Sequence, residues 1–286
     1  MRIWKKTVIA LCLAMLGGIL LPAAVPARAE SDIKALFINV RKADAILLFL
    51  DDQRFLVDTG HKDSYEALES ALTAYGVEHL DGVFITHTDK DHVGGLKKLL
   101  KSDIVVEQIY ASTLHSEGDA EEHPVYEAAK KRNVPLRWLR AGEVIEAGEC
   151  SLHILGPLDR DNLDEDNNSL VIDVRTPEGN LLLTGDMKKE EEASLLQADV
   201  IPEATVLKVA HHGEDDSTGA AFLRRVKPQW AVISTNTDDE PDTAADAVLA
   251  RLWDVKSGVA ITQSATLGIL VTLQGGQATA EMIDYQ

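Results

Sequence analysis

The sequence predicts an α/β domain in which two β-sheets pack together with helices outside them. Three observations carry this. Apolar strand-like runs alternate with amphipathic helical stretches along the chain, strand meanders stand near both ends rather than strict βαβ units, and no linker or internal repeat divides the pattern. A single doubly wound parallel sheet is disfavoured by the terminal meanders.

Residues 1–29 stand apart. Arg2, Lys5 and Lys6 precede the apolar run 7–21, Pro22 ends it, and Ala27-Arg28-Ala29 has the small residues of a cleavage site. This is the pattern of a secretory signal peptide cut after Ala29. The run of about 15 residues is short of the roughly 20 that span a bilayer, and an uncleaved anchor is the alternative. No second such run follows, so residues 30–286 are expected to form one soluble domain outside the cytoplasm.

Residues 33–40 (IKALFINV), 45–50 (AILLFL) and 54–58 (RFLVD) are expected strands, the last two joined by a turn at Asp51-Asp52. Leu68, Leu72 and Tyr75 recur at helical spacing over 64–75, with Ser64 as N-cap and Gly76 as the stop. Strand 82–85 (GVFI) leads into THTDKDHVGG (86–95), and a helix is expected over 94–101. Strand 104–111, a polar loop 112–124, helix 125–132 and strand 134–139 follow. Two short strands flank Gly148, a polar loop covers 157–168, and strands 169–175 and 180–184 are joined by Pro177-Glu178-Gly179. Helix 188–197, strand 205–210, helix 219–226, strand 230–234, helix 243–254 and strands 259–262 and 267–273 complete the chain.

The two cysteines are Cys12 and Cys150. The first leaves with the signal peptide, so neither a disulfide nor a Cys-x-x-Cys zinc site remains. Site chemistry falls to histidines and carboxylates. The formal net charge is −19; removing residues 1–29 takes away Arg2, Lys5, Lys6 and Arg28 and no acids, leaving −23. Such a surface repels polyphosphate at long range and argues against a basic nucleic-acid groove. It leaves room for metals to supply positive charge locally.

THTDKDHVGG lies on a strand-to-helix loop. His87, Asp89, Asp91 and His92 place four N and O donors within six residues, more naturally shared between two metal sites than spent on one. Asp91 as a helix cap would explain one of them, not four in this order. The glycines are expected to let the backbone turn tightly. Further ligands are expected at two strand ends. Asp186 closes LLLTGD and can bridge two ions; alone it would be an ordinary turn residue. His211 and His212 close VLKVAHHG, where side chains on an extended strand would point opposite ways, one to a metal and one toward substrate.

Taken in order, THTDKDHVGG, NNSLV, LLLTGD and LKVAHHG resemble the motifs of the metallo-β-lactamase superfamily. More closely they resemble the extracytoplasmic hydrolase domain of ComEC-type competence proteins and its free-standing relatives, over about Ile33 to Leu273. The resemblance implies a four-layer αββα sandwich with two divalent metal ions at the sheet edges. It places His87 and Asp89 on the first ion, Asp91 and His92 with one of His211 and His212 on the second, and Asp186 between both. Asp89 stands where most of the superfamily has His, as in the competence branch. The remaining first-site position reads as Asn167-Asn168-Ser169, an amide and so a weaker ligand. Asp58 matches a supporting position behind the site. Asp44 is retained, but Arg41-Lys42-Ala43 replaces the usual turn before it, Glu214 replaces a usual Ser, and the turn 235–241 carries extra acids.

The resemblance implies hydrolysis by a metal-bound hydroxide, with Asp91 orienting it and whichever of His211 and His212 is not bound to metal, His212 being the one expected, stabilising charge or protonating the leaving group. Asn168, Ser169 and Lys208 are candidate substrate contacts; a solvent-facing strand lysine is the plain alternative for Lys208. Zinc suits the imidazoles and manganese the carboxylates. The expected substrate is a phosphodiester, small or nucleic acid, without stable extended nucleic-acid binding. Hydrolysis of an ester, lactone or amide is the alternative, and a non-catalytic secreted binding module is a second. No segment signals a protein partner. His115, His123 and Trp138 are expected in loop or core roles.

Overall fold

The computed structural model describes residues 33–115 and 123–285. The signal-peptide segment and Cys12 lie outside them. Among the described residues no helix is long and apolar enough to cross a membrane.

The first meander is β1 (Ile33–Ile38), β2 (Ile46–Leu50) and β3 (Gln53–Val57), followed by α1 (Tyr65–Ala74). Next come β4 (His79–Leu80), β5 (Gly82–Ile85), α2 (Lys90–Val93), α3 (Leu96–Leu99), β6 (Val105–Val106) and β7 (Ile109–Ser112). Then follow α4 (Pro124–Arg132), β8 (Leu136–Leu139), β9 (Val144–Ala147), β10 (Cys150–Gly156), β11 (Val171–Thr176) and β12 (Gly179–Leu183). The last part holds α5 (Lys189–Gln197), β13 (Val206–Lys208), α6 (Ala220–Val226), β14 (Trp230–Ile233), α7 (Asp246–Asp254), β15 (Gly258–Ile261), β16 (Gly268–Gln274) and β17 (Gln277–Ile283).

One sheet runs β17-β16-β1-β2-β3-β5-β7-β8 and the other β15-β14-β13-β12-β11-β10-β9. Side-chain alternation shows why they stack. Ile33, Ala35 and Phe37 of β1 and Leu181 and Leu183 of β12 enter one shared core, whereas Leu36 and Leu182 enter two separate outer cores under the helices. The result is the expected αββα layering.

Five details differ from the sequence expectation. Ser64 precedes α1, but its hydroxyl donates to His61 O rather than capping. The run 104–111 splits into two strands in different sheets. β4 was too short to see, and β17 is a half-exposed edge strand without an apolar stripe. Finally, the helical backbone begins at Lys90, ahead of the two glycines.

The parallel strands β3 and β5 of one sheet and β12 and β13 of the other end at the same edge of the sandwich. The chain leaves them at Asp58, Thr86, Thr184 and Val209, so the loops carrying the polar motifs converge there.

Candidate metal centre

Two clusters of potential ligand atoms lie at that edge. Asp91, His92, Asp186 and His212 form one, and His87, Asp89 and Asp166 form the other; Asp166, Asp186 and His211 connect them. The His92 and His212 rings are 5.4 Å apart, and those of His87 and His92 4.1 Å.

Each histidine has its Nδ1 fixed from behind. Asp58 Oδ2 accepts from His92 Nδ1 (2.8 Å), Asp216 Oδ1 from His211 Nδ1 (2.8 Å) and Ser234 O from His212 Nδ1 (2.8 Å). The Thr86 hydroxyl donates to Asp58 Oδ2 (2.7 Å), so toward His87 Nδ1 (3.1 Å) it accepts. All four rings therefore present Nε2 to the interior, the arrangement in which an outer partner orients a metal-binding imidazole. Sequence reasoning gave Asp58 a supporting place, and the structure puts it beneath both Thr86 and His92.

His87 Nε2 lies 3.4 Å from Asp166 Oδ1, and His212 Nε2 lies 3.0 Å from Asp186 Oδ2 and 3.4 Å from Asp91 Oδ2. Both nitrogens are buried and make no hydrogen bond. A buried ring nitrogen that faces carboxylate oxygens without an aligned hydrogen bond is costly in a protein interior. A divalent cation shared by the two kinds of ligand removes that cost, so the donor set fits metal ions.

The electrostatics agree. Burial opposes the charge on Asp91, Asp166 and Asp186, yet all three carboxyls are held well below the usual range: Asp91 by His212 and His92, Asp166 by His87 and Lys188, Asp186 by His212, His92 and Lys208. Burial likewise opposes protonation of His212, but Asp186 and then Asp91 hold its imidazolium up to about 9.

Two lysines set the charge balance. Lys208 is buried, with Nζ on Asp186 Oδ1 (3.1 Å), on Gly185 O (2.8 Å) and in contact with Asp44 Oδ2. Lys188 Nζ lies 2.6 Å from Asp166 Oδ2 and 2.9 Å from Asp164 Oδ2.

Several expectations are corrected here. Where an amide was expected to complete the first site, the carboxylate of Asp166, one residue earlier, is the group that stands with His87 and Asp89. Asn168 is fully buried and holds its own loop, its Nδ2 donating to Asp161 O (2.8 Å) and its Oδ1 accepting from Asp161 N (2.9 Å). Ser169 Oγ accepts from Asp186 N (3.0 Å). With Lys208 committed as above, none of these three offers a free group to substrate, and Lys208 does not face solvent either.

His211 and His212 do not lie on a strand. β13 stops at Lys208, and the pair occupies a single 3₁₀ turn with both residues in the left-handed region (φ 45° and 52°). Both rings thus reach the centre, His212 toward Asp91 and Asp186 and His211 toward Asp166. Nor do Gly94 and Gly95 make a tight turn: both are helical (φ −60° and −78°). They are glycine because residues 59–62 pass across them; a Cβ on Gly95 would lie 2.2 Å from Thr59 O. That contact joins the Asp58 turn to the helix carrying His92, where Thr59 N also donates to His92 O (2.7 Å).

Sequence reasoning missed Asp166, Lys188 and Asp216 as site residues. Asp166 was hidden in DRDNLDEDNN, where several acids compete for one position. The unusual residues at the rim turn out to be partners: Lys42 Nζ lies 3.1 Å from Glu214 Oε1, and Arg41 Nε donates to Asp239 Oδ2 (2.7 Å). His123 is buried, caps α4 by accepting from Val125 N (3.3 Å), and packs against His115 and Trp138. Burial, with His115 next, lowers its pKa to about 4, in keeping with a structural role.

Residues 38–235 match the family model described as the metallo-beta-lactamase superfamily. The chain is 31% identical over 220 residues to the ComE operon protein 3 of Bacillus subtilis (strain 168), covering 71% of this chain and 28% of that protein. It is 28% identical over 233 residues to the competence protein ComA of Neisseria gonorrhoeae, covering 81% of this chain and 30% of that one. The chain thus spans under a third of the length of these relatives. Among solved structures, the metallo-beta-lactamase fold protein YhfI of Bacillus subtilis superposes with a TM-score of 0.58 at 15% identity, over 85% of this chain and 100% of that one. At that identity the likeness is one of fold.

Proposed function

The chain belongs to the metallo-β-lactamase superfamily, and from that premise we propose that it is a metal-dependent hydrolase of phosphodiester bonds working outside the cytoplasm. The observation that carries the metal part is the pair of buried, unsatisfied nitrogens, His87 Nε2 and His212 Nε2, each facing a carboxylate. Likeness to the competence proteins supports the substrate class, and their much greater length makes the activity of the whole proteins a separate matter.

His87, Asp89 and Asp166 would hold one divalent cation and Asp91, His92 and His212 another, with Asp186 between. Bound there, the ions supply Lewis-acid activation of water and of an oxygen on the scissile group. Zinc suits the histidine-rich second cluster, and the carboxylate-rich first cluster also admits manganese. Asp91, half-buried at the rim, is placed to orient the attacking water by accepting its hydrogen bond. His211 keeps some exposure and is held by Asp216, which suits it to stabilise charge or deliver a proton to the leaving oxygen. Lys208 counters one oxygen of Asp186 and so turns the other toward His92 and His212.

Bis(p-nitrophenyl) phosphate and a panel of lactones, offered to the metal-loaded protein, test the reading. Phosphodiester turnover that collapses in Asp91→Ala and Asp186→Ala is expected; lactone turnover alone would replace the phosphodiester assignment. Export is tested separately, by N-terminal sequencing of the protein recovered outside the cytoplasm, which is expected to begin at Glu30.

A further inference from the structure

Lys42 stands at the mouth of the centre, on a loop that other contacts already fix. Asn39 Nδ2 donates to Ala265 O (2.8 Å), the Arg41 guanidinium donates through two nitrogens to Asp239, and Asp44 N donates to Asp91 O (3.1 Å). The loop 39–45 is thus fastened on both sides of Lys42. Lys42 Nζ itself reaches Glu214 Oε1 (3.1 Å), and Glu214 Oε2 lies 3.8 Å from His211 Nδ1. A single carboxylate therefore separates this ammonium from His211. Burial opposes the charge on Lys42, yet Glu214, and after it Asp91 and Asp186, hold the ammonium above its ordinary value. Lys42 is therefore within electrostatic reach of the ligand clusters.

Two other lysines at the centre are committed. Lys208 is buried among Asp186, Gly185 and Asp44, and Lys188 is held by Asp164 and Asp166. Lys42 has one carboxylate partner among the described residues, and the side chains of Lys42 and Glu214 are 21% and 30% exposed. An ion pair as exposed as this contributes little to stability, so another anion can replace Glu214 at small cost. An arriving anion also needs a receiver. Asp91, Glu214 and Asp216 are partly exposed beside His211 and His212. Glu214 and Asp216 belong to neither of the two ligand clusters, and they repel a negative substrate unless a nearby cation offsets them.

We propose that Lys42 is a substrate-binding residue whose ammonium leaves Glu214 for a non-bridging oxygen of the phosphodiester, with Glu214 standing in for that anion in the free protein. The proposal rests on the phosphodiesterase reading and adds the contact that favours an anionic diester over an uncharged lactone or ester. One ion pair is exchanged for another, and no covalent bond changes. A plain clasp between two loops would need Lys42 and Glu214 equally. The exchange sets them against each other, because Lys42 binds the substrate and Glu214 competes with it.

The test is calorimetric titration of the metal-loaded full chain with diphenylphosphinate, a monoanion that presents phosphoryl oxygens and has no ester bond to cleave. At about 0.15 M salt, exposed charges more than about 8 Å away are largely screened. Lys42→Met should weaken binding about tenfold or more, and Lys42→Arg should recover most of that loss. Glu214→Gln should tighten binding about threefold. Added to Lys42→Met, it should change nothing, because no lysine is left to release. Additive effects in that double variant would reduce both residues to a general field and overturn the proposal. Weaker binding in Glu214→Gln, the mark of a clasp, would overturn it too. So would unchanged binding in Lys42→Met, or no binding by wild type. Glu214→Gln keeps the lysine, so its sign decides the matter even where Lys42→Met fails to fold. If wild type binds the phosphinate in this pattern but cleaves no bis(p-nitrophenyl) phosphate, the phosphodiesterase reading falls and Lys42 stands as an anion contact. If it cleaves the diester while the variants bind the phosphinate as wild type does, the Lys42 proposal falls and the phosphodiesterase reading stands.

Discussion

Lys208 Nζ lies 3.1 Å from Asp186 Oδ1, while Asp186 Oδ2 lies 3.0 Å from both His92 Nε2 and His212 Nε2. One oxygen of the central carboxylate is thus committed to a buried ammonium and the other to the histidines. Lys208→Met removes the ammonium and leaves Asp44 and Asp186 facing each other without a cation. Removing one partner of a buried pair costs about 3–5 kcal/mol. Chemical denaturation of chelator-treated protein should show a loss of that size, and a smaller one with metal present, because the cation then compensates Asp186. An equal loss in both states would count against a metal at this carboxylate.

The first cluster takes in the carboxylate of Asp166, one residue before the amides. Asp166→Ala should reduce bound metal from two equivalents to one and lower turnover by about a hundredfold or more. Asn168→Ala should retain both equivalents and lower the melting temperature, since its amide binds the loop to Asp161. Metal analysis after gel filtration separates the two variants. A reversed pattern would restore the amide as the ligand.

Protonation and metal binding should pull in opposite directions at His212. Its value of about 9 in the metal-free fold lies above the ordinary 6.5, because Asp186 and Asp91 outweigh the effect of burial. The stability it lends the metal-free protein is therefore full below pH 6.5 and is lost as pH rises through about 9. A cation must displace the same proton, so affinity should rise over that window by about tenfold per pH unit for each proton displaced. Melting of chelator-treated protein and competition with a metal indicator dye, run from about pH 6 to about pH 9.5, should show the two trends diverging.

Gly95→Ala tests the contact behind the site. The added methyl would meet Thr59 O at 2.2 Å, and overpacking of this kind costs about 1–3 kcal/mol. Because the same contact aligns the Asp58 turn with His92, metal affinity should fall together with the melting temperature. A loss of stability at unchanged affinity would show that the contact only supports the fold.

Much of this molecule is legible in its sequence, and the exceptions have physical causes. Nearly continuous apolar runs such as 33–38 and 45–50 reveal strands because both faces of the sheet are buried, one in the shared core and one under the helices. The mostly polar, half-exposed β17 gives no such signal. Donors packed into one loop, as in 86–92, stand out because nothing but a charged ligand explains their density. Asp166 does not stand out, since in a run of acids only three-dimensional position separates a ligand from a solvent-facing neighbour. The His211-His212 pair was visible but its geometry was not, because a left-handed pair of non-glycine residues runs against local preference and is imposed by the surrounding structure. Lys208 was misjudged for a related reason: its sequence neighbours do not reveal that Asp44, about 160 positions earlier, is waiting for it.

The central claim is that Asp91, His92, His212, His87, Asp89, Asp166 and the shared Asp186 form a two-cation centre. Elemental analysis of the purified, metal-reconstituted protein tests it most directly. We expect two equivalents of divalent metal per chain in the wild type and at most one in Asp186→Ala. No retained metal in the wild type, or an unchanged two equivalents in Asp186→Ala, would contradict it.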